Sequence, residues 1–107
     1  MPHSIKILTF MPVHVAAQPA PGTSQAQAEI ECKQQIAAIA ANRDAVVIDW
    51  RIASPITEND ANYWDSLHYR LPLAQRIARE TADAALNGSP AQDGAYQIVV
   101  RAAGDAP

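Results

Sequence analysis

The chain has 107 residues, room for one domain and a modest core but small for a complete α/β enzyme. With 49% apolar and 18% charged residues it belongs among globular rather than disordered or fibrous chains, although about one residue in five is Ala, so large side chains are fewer than the percentage implies. A net charge of −3, a pI near 5.4 and no stripe of Lys and Arg argue against nucleic acid as a main partner.

Cys32 is the only cysteine, which excludes an internal disulfide, a zinc ribbon and a redox CxxC pair. The residues after Met1 show no basic region followed by an apolar run and a cleavage site, and no apolar run approaches the roughly 18 residues of a membrane helix. As written, the chain is expected to be cytoplasmic, with no membrane partner.

The first element signal is Ile5-Lys6-Ile7-Leu8-Thr9-Phe10-Met11, β-branched and apolar with little alternation, as in a parallel strand covered on both faces. Pro12 limits it, and Gln18-Pro19-Ala20-Pro21-Gly22 reads as a loop. Thr23 or Ser24 caps a helix expected to run to about Asn42. Ala28, Cys32, Ile36 and Ile39 form its inner stripe, with Cys32 a buried inert thiol, while Glu29, Lys33 and Gln34 lie away from it.

A second buried strand is expected over Ala45-Val46-Val47-Ile48-Asp49-Trp50-Arg51-Ile52, ended by Ser54-Pro55. Strand, helix and strand within about 50 residues make a right-handed βαβ unit with parallel strands. Residues 56–70 read as a polar, aromatic-rich loop. Pro72 suits the first position of a helix that carries Leu73, Ile77, Thr81 and Ala84 inward, keeps Arg76, Arg79, Glu80 and Asp83 largely outside, and stops at Asn87-Gly88. After a loop over 89–94, Tyr96-Gln97-Ile98-Val99-Val100 carries a further short strand signal, and the last residues are expected to fray. Two long strands alone do not make a stable sheet, so something else must pair with them.

Ligands of an open α/β sheet bind beyond the carboxyl ends of its strands, where the 56–70 loop lies. Its most informative element is Asp65-x-x-His68. At that spacing in a turn a carboxylate can reach the imidazole, fix its tautomer and stabilise the cation formed when it takes a proton. His14 ends the other strand on the same edge. Tyr63, Trp64, Tyr69 and Arg70, with Trp50, surround the proposed site as candidate pocket lining. Arg51 and Arg70 are expected to pair with Asp49 and Asp65, and the aromatic rings serve equally as loop packing or as a stacking surface for a sugar. His3, His14, Asp60, Asp65 and His68 show none of the HxH, HExxH or His-x3-His spacings, so neither a metal nor another cofactor is expected.

Val46-Val47-Ile48-Asp49-Trp50, then Asn62-Tyr63-Trp64-Asp65-Ser66-Leu67-His68-Tyr69 and a helix with Pro72, Leu73, Ala74 and Ile77, resembles the C-terminal part of the bacterial SGNH (GDSL-type) hydrolases over roughly residues 5–88. The resemblance implies a partial flavodoxin-like three-layer α/β/α fold, a βαβα unit with residues 89–107 as loop, short strand and tail. It also implies serine-dependent hydrolysis or acyl transfer on a small-molecule or carbohydrate ester, with His68 as general base and Asp65 as its orienting acid. The family's Gly-Asp-Ser nucleophile block and its oxyanion-hole Gly and Asn blocks are not found. None of Ser4, Ser24, Ser54, Ser66 and Ser89 follows Gly-Asp or sits in a Gly-x-Ser-x-Gly elbow. The expectation is therefore a chain that holds the His/Asp half of a triad and is inactive alone. The competing expectation is a noncatalytic α/β module that self-associates or binds a partner through an open sheet edge.

Overall fold

The structure is a computed structural model that describes residues 5–102; Ser4, His3 and the expected frayed end beyond Ala102 lie outside the described residues. Its elements in chain order are strand β1 (Lys6–Phe10), helix α1 (Ser24–Asn42), strand β2 (Ala45–Asp49), the short strands β3 (Tyr63–Asp65) and β4 (His68–Tyr69), helix α2 (Leu71–Asn87) and strand β5 (Gln97–Val100), with short 3-10 turns at Val15–Ala17 and Asp60–Asn62.

The organising element is β2. Every one of its five residues is buried, because the run Ala-Val-Val-Ile-Asp has an apolar partner layer for each face. Val46, Ile48 and the following Trp50 pack with Leu73, Ile77, Ala84 and Ala85 of α2, while Ala45 and Val47 pack with Ala40 of α1, Phe10 and Val100. Helices thus cover the sheet from both sides, the three-layer α/β/α arrangement expected. β1 pairs with β2 in parallel, from Lys6 opposite Ala45 to Phe10 opposite Asp49. The pairing the two strands needed comes from β5, which joins β2 antiparallel across an irregularity between Val47 and Ile48, giving a mixed sheet in the order β1-β2-β5.

α2 follows its sequence pattern. Leu71 rather than Pro72 takes the first position, Pro72 the second, and Gly88 closes the helix with φ +67°, the left-handed region that costs glycine least. Full burial of Leu73 and Ile77 contributes roughly 1.5–3 kcal/mol each. Trp50, the largest side chain in the core, donates its indole N–H to the Thr81 hydroxyl at 3.0 Å, so this inner-face threonine has a definite task.

α1 departs from its sequence pattern. Thr23 caps it by accepting the Ala26 N–H, as expected, but Ala28, Cys32 and Ile39 are exposed, Ile39 by 53%, and Cys32 is not a buried thiol. The face turned to the sheet carries Ala26, Glu29, Lys33, Ala37 and Ala40, with Ile36 the one member of the expected stripe that is half-buried there. Lys33 reaches across to Asp49 Oδ2 at 2.8 Å and the Arg51 carbonyl at 2.7 Å, and Glu29 takes the Arg51 Nε–H at 2.8 Å. Asp49 is 3% exposed, so a charge buried at the end of β2 pulls the polar side of α1 inward to meet it. Arg51 accordingly pairs with Glu29, and Asp49 accepts only its backbone N–H.

β1 corrects a second expectation. It is an edge strand, not one covered on both faces: Ile5 is 53% exposed, Leu8 44% and Met11 41%. The 56–70 segment is likewise no plain loop, since it contains the hairpin of β3 and β4.

Candidate active site

β1 and β2 run parallel, so both carboxyl ends open on one edge, and the two chains that leave there are stitched together. The Trp50 N–H donates to the Phe10 carbonyl, the His14 N–H to the Ser66 carbonyl at 2.9 Å and the Val15 N–H to the Thr57 carbonyl at 2.8 Å. Ser54 and Thr57 are buried and serve the turn beneath. The Ser54 Oγ accepts the Ile56 and Thr57 N–H groups, and the Thr57 hydroxyl donates to the Ile52 carbonyl. Ser54 is thereby a strand terminator and is spent on that role.

The hairpin that presents Asp65 and His68 turns through Ser66 and Leu67. Neither has positive φ, so the turn lacks the backbone that Asn-Gly hairpins use. Asp65 replaces it: its Oδ1 accepts the N–H of Leu67 at 2.9 Å and of His68 at 3.0 Å. The same carboxylate meets the His68 ring, with Nδ1 2.8 Å from Oδ1 and 2.9 Å from Oδ2. The Leu67 amide above all, and then the imidazole, hold the Asp65 carboxyl below its ordinary range, so it is ionised at neutral pH. An ionised carboxylate only accepts, so Nδ1 carries a proton, and in the neutral ring Nε2 is the nitrogen left with a lone pair. That is the tautomer a general base requires.

His14 adopts the opposite tautomer. Its Nδ1 accepts the Ala16 N–H at 3.0 Å, so Nε2 carries the proton and donates to Asp60 Oδ1 at 2.6 Å. With both nitrogens engaged, His14 holds the loop after β1 and offers no lone pair to a substrate. Its ring packs edge-on to Tyr63, centroids 5.4 Å apart. Tyr63 is almost fully buried and donates its hydroxyl to the Pro12 carbonyl. Burial, aided by Tyr69, pushes its phenol up to about 12, so it acts as a neutral wall rather than an acid or base.

A shallow hollow of about 280 Å³ brings together His14, Asp60, Tyr63, Trp64, Asp65 and Ser66. Of the candidate lining residues, His14, Tyr63 and Trp64 border it. Tyr69 faces a different groove, between β1 and α2, and Trp50 is in the core. The Arg70 guanidinium stacks 4.5 Å from the Trp64 ring centre instead of pairing with Asp65. Trp64 itself is 74% exposed, an open aromatic face beside two carboxylates. The Asp65 and His68 side chains are 61% and 72% exposed, so the pair stands in water; Asp65 borders the hollow, and His68 is not among its lining residues.

The alternating Tyr63, Trp64, Asp65 and His68, Tyr69 carried no turn dipeptide, and only the reach of Asp65 to amides two and three residues on marks the hairpin. The His14–Asp60 bond, between residues 46 apart, left no local signal. A scan against family models finds no match for the chain, and neither curated proteins nor solved structures give one.

Proposed function

We propose that this chain carries the base-and-orienter half of a serine-dependent ester hydrolase, with His68 as general base and Asp65 as the group that orients it, and that it is inactive by itself. The observation that carries the reading is the two-oxygen grip of Asp65 on His68 Nδ1 at the carboxyl edge of the sheet, directly before α2. In such a reaction His68 Nε2 takes the proton from a serine hydroxyl as its oxygen bonds to the acyl carbon. The imidazolium is stabilised by Asp65, and the proton passes to the leaving alcohol as the ester C–O bond breaks.

The inactivity follows from two features. Among the described residues no serine is hydrogen-bonded to His68. Ser54 is buried in its turn, Ser24 bonds Gln25, and Ser66 lies in the turn between Asp65 and His68. The pair is also water-exposed, and electrostatic help of this kind is strong only where water is excluded. A noncatalytic module is the second reading, favoured by the use of Asp65 to close its own turn.

Carbethoxylation of the histidines with diethyl pyrocarbonate separates the two, since it reads nucleophilicity at a ring nitrogen. The hydrolase reading expects His68 to react ahead of His14 and to slow in Asp65→Asn, which keeps an oxygen acceptor for the turn amides but loses the charge behind Nδ1. It also expects no His68-dependent turnover of a short-chain nitrophenyl ester and no fluorophosphonate labelling. A His68 rate indifferent to Asp65→Asn would favour the module, and labelling or turnover would refute inactivity.

A further inference from the structure

Outside the site, β1 pairs on one side only among the described residues, with β2, and its other edge is open. The Phe10 carbonyl accepts from Trp50 on β2. Backbone groups alternate sides along a strand, so Lys6, Leu8 and Phe10 present theirs to β2, whereas Ile7 and Thr9 present theirs to the open edge. The edge is apolar, with Ile7 39% and Leu8 44% exposed. On the α2 side it continues into a groove of about 400 Å³, lined by Ile7 and Thr9 of β1, by Met11 just after it and by Ala74, Ala78 and Ala82 along one side of α2. An exposed apolar edge of this kind is a template for another strand.

We propose that β1 is a homodimer seam, in which two copies pair their β1 edges antiparallel about a two-fold axis at Leu8 and join two three-stranded sheets into one. The register places Lys6 beside Phe10 of the other copy, Ile7 beside Thr9 and Leu8 beside Leu8, and no other antiparallel self-pairing uses all five strand residues. Ile7 and Thr9, whose N–H and C=O groups point outward, form the hydrogen-bonded pairs. Leu8 falls at a non-hydrogen-bonded position, where facing side chains come closest.

Charge selects the same arrangement. Lys6 is the only charged residue of β1. Parallel in-register pairing would set two Lys6 side chains against each other, whereas the antiparallel register separates them by four residues, about 13 Å, beyond a Debye length at ordinary salt. The two-fold arrangement closes on itself, while pairing β1 with a neighbour's β5 would continue into a filament. It also sends the two carboxyl edges in opposite directions and leaves both His68 sites open, so it stands or falls independently of the ester-hydrolase reading.

Light scattering on the purified chain should give twice 11.5 kDa across the micromolar range. Thr9→Pro removes an N–H that points away from β2, so it should yield a monomer with unchanged circular dichroism. In a Cys32→Ser background, Leu8→Cys should oxidise to a covalent dimer and Lys6→Cys should not, because only position 8 faces its own copy. A parent that stays monomeric, an edge kept for some other chain, would overturn the proposal. So would a dimer that survives in folded Thr9→Pro, or equal crosslinking at positions 6 and 8, which also decides the matter if Thr9→Pro fails to fold.

Discussion

Replacing Lys33 by Met tests the reason given for the orientation of α1. The Asp49 side chain is 5% exposed and its Oδ2 lies 2.8 Å from Lys33 Nζ; without that ammonium only the Arg51 N–H remains as a partner on the other oxygen. Breaking a buried pair on one side costs about 3–5 kcal/mol, and since Lys33 keeps 18% exposure the lower end applies, about 3 kcal/mol. Against a total stability of roughly 5–15 kcal/mol this is a large share, and at about 4 °C per kcal/mol the melting temperature should fall by roughly 12 °C. The double variant Lys33→Met/Asp49→Asn should recover to within about 1 kcal/mol of the parent, since Asn still accepts the Arg51 N–H without a charge. Urea unfolding of the four proteins measures the coupling. A Lys33→Met loss below about 0.5 kcal/mol, the range of an ordinary surface change, would refute the argument.

Thr81→Val keeps the shape of the side chain but strands the buried Trp50 indole N–H, so it should cost about 1–3 kcal/mol in thermal unfolding; unchanged stability would show that the bond contributes nothing. In a spectrophotometric titration the Tyr63 phenol should ionise near pH 12, and that last step should vanish in Tyr63→Phe. Because its folded value is raised, the associated stability is fully present below pH 10 and is lost as pH climbs toward 12. Arg76→Met should loosen the segment after α2, since both Nη2 contacts to Asp93 go. Burial alone would raise the Asp93 carboxyl; Arg76 and the Ala95 amide bring it below its ordinary value, so acid titration followed by NMR should find it moved upward in the variant.

The elements readable from sequence are those whose partners are apolar on both sides or whose periodicity is strong. β2 is an unbroken buried run, and α2 repeats Leu73, Ile77 and Ala84 on one face. The extent and cap of α1 were legible, but not its inward face, because small Ala26, Ala37 and Ala40 face the sheet and the decisive residue, Asp49, lies in another element; no wheel drawn on α1 alone contains the charge that turns Lys33 inward. The run in β1 described its composition truly but not its surroundings, since the same apolar residues suit an interior strand and an uncovered edge. At the site, the Asp65–His68 contact was legible because it is local. The grouping of His14 with Asp60 and Tyr63 depends on parallel strands opening on one edge, a tertiary fact.

The most direct test of the central claim is the protonation state of the two described imidazoles, read from nitrogen shifts and long-range nitrogen–proton couplings at neutral pH. In its neutral form the His68 ring should carry its proton on Nδ1 with a bare Nε2, and His14 the reverse, with its proton on Nε2. Asp65→Asn should release His68 toward an average of both tautomers. A His68 that carries its proton on Nε2 in the parent protein would leave it without a lone pair for a serine hydroxyl, and the assignment of this chain as the base-bearing half of a hydrolase would be wrong.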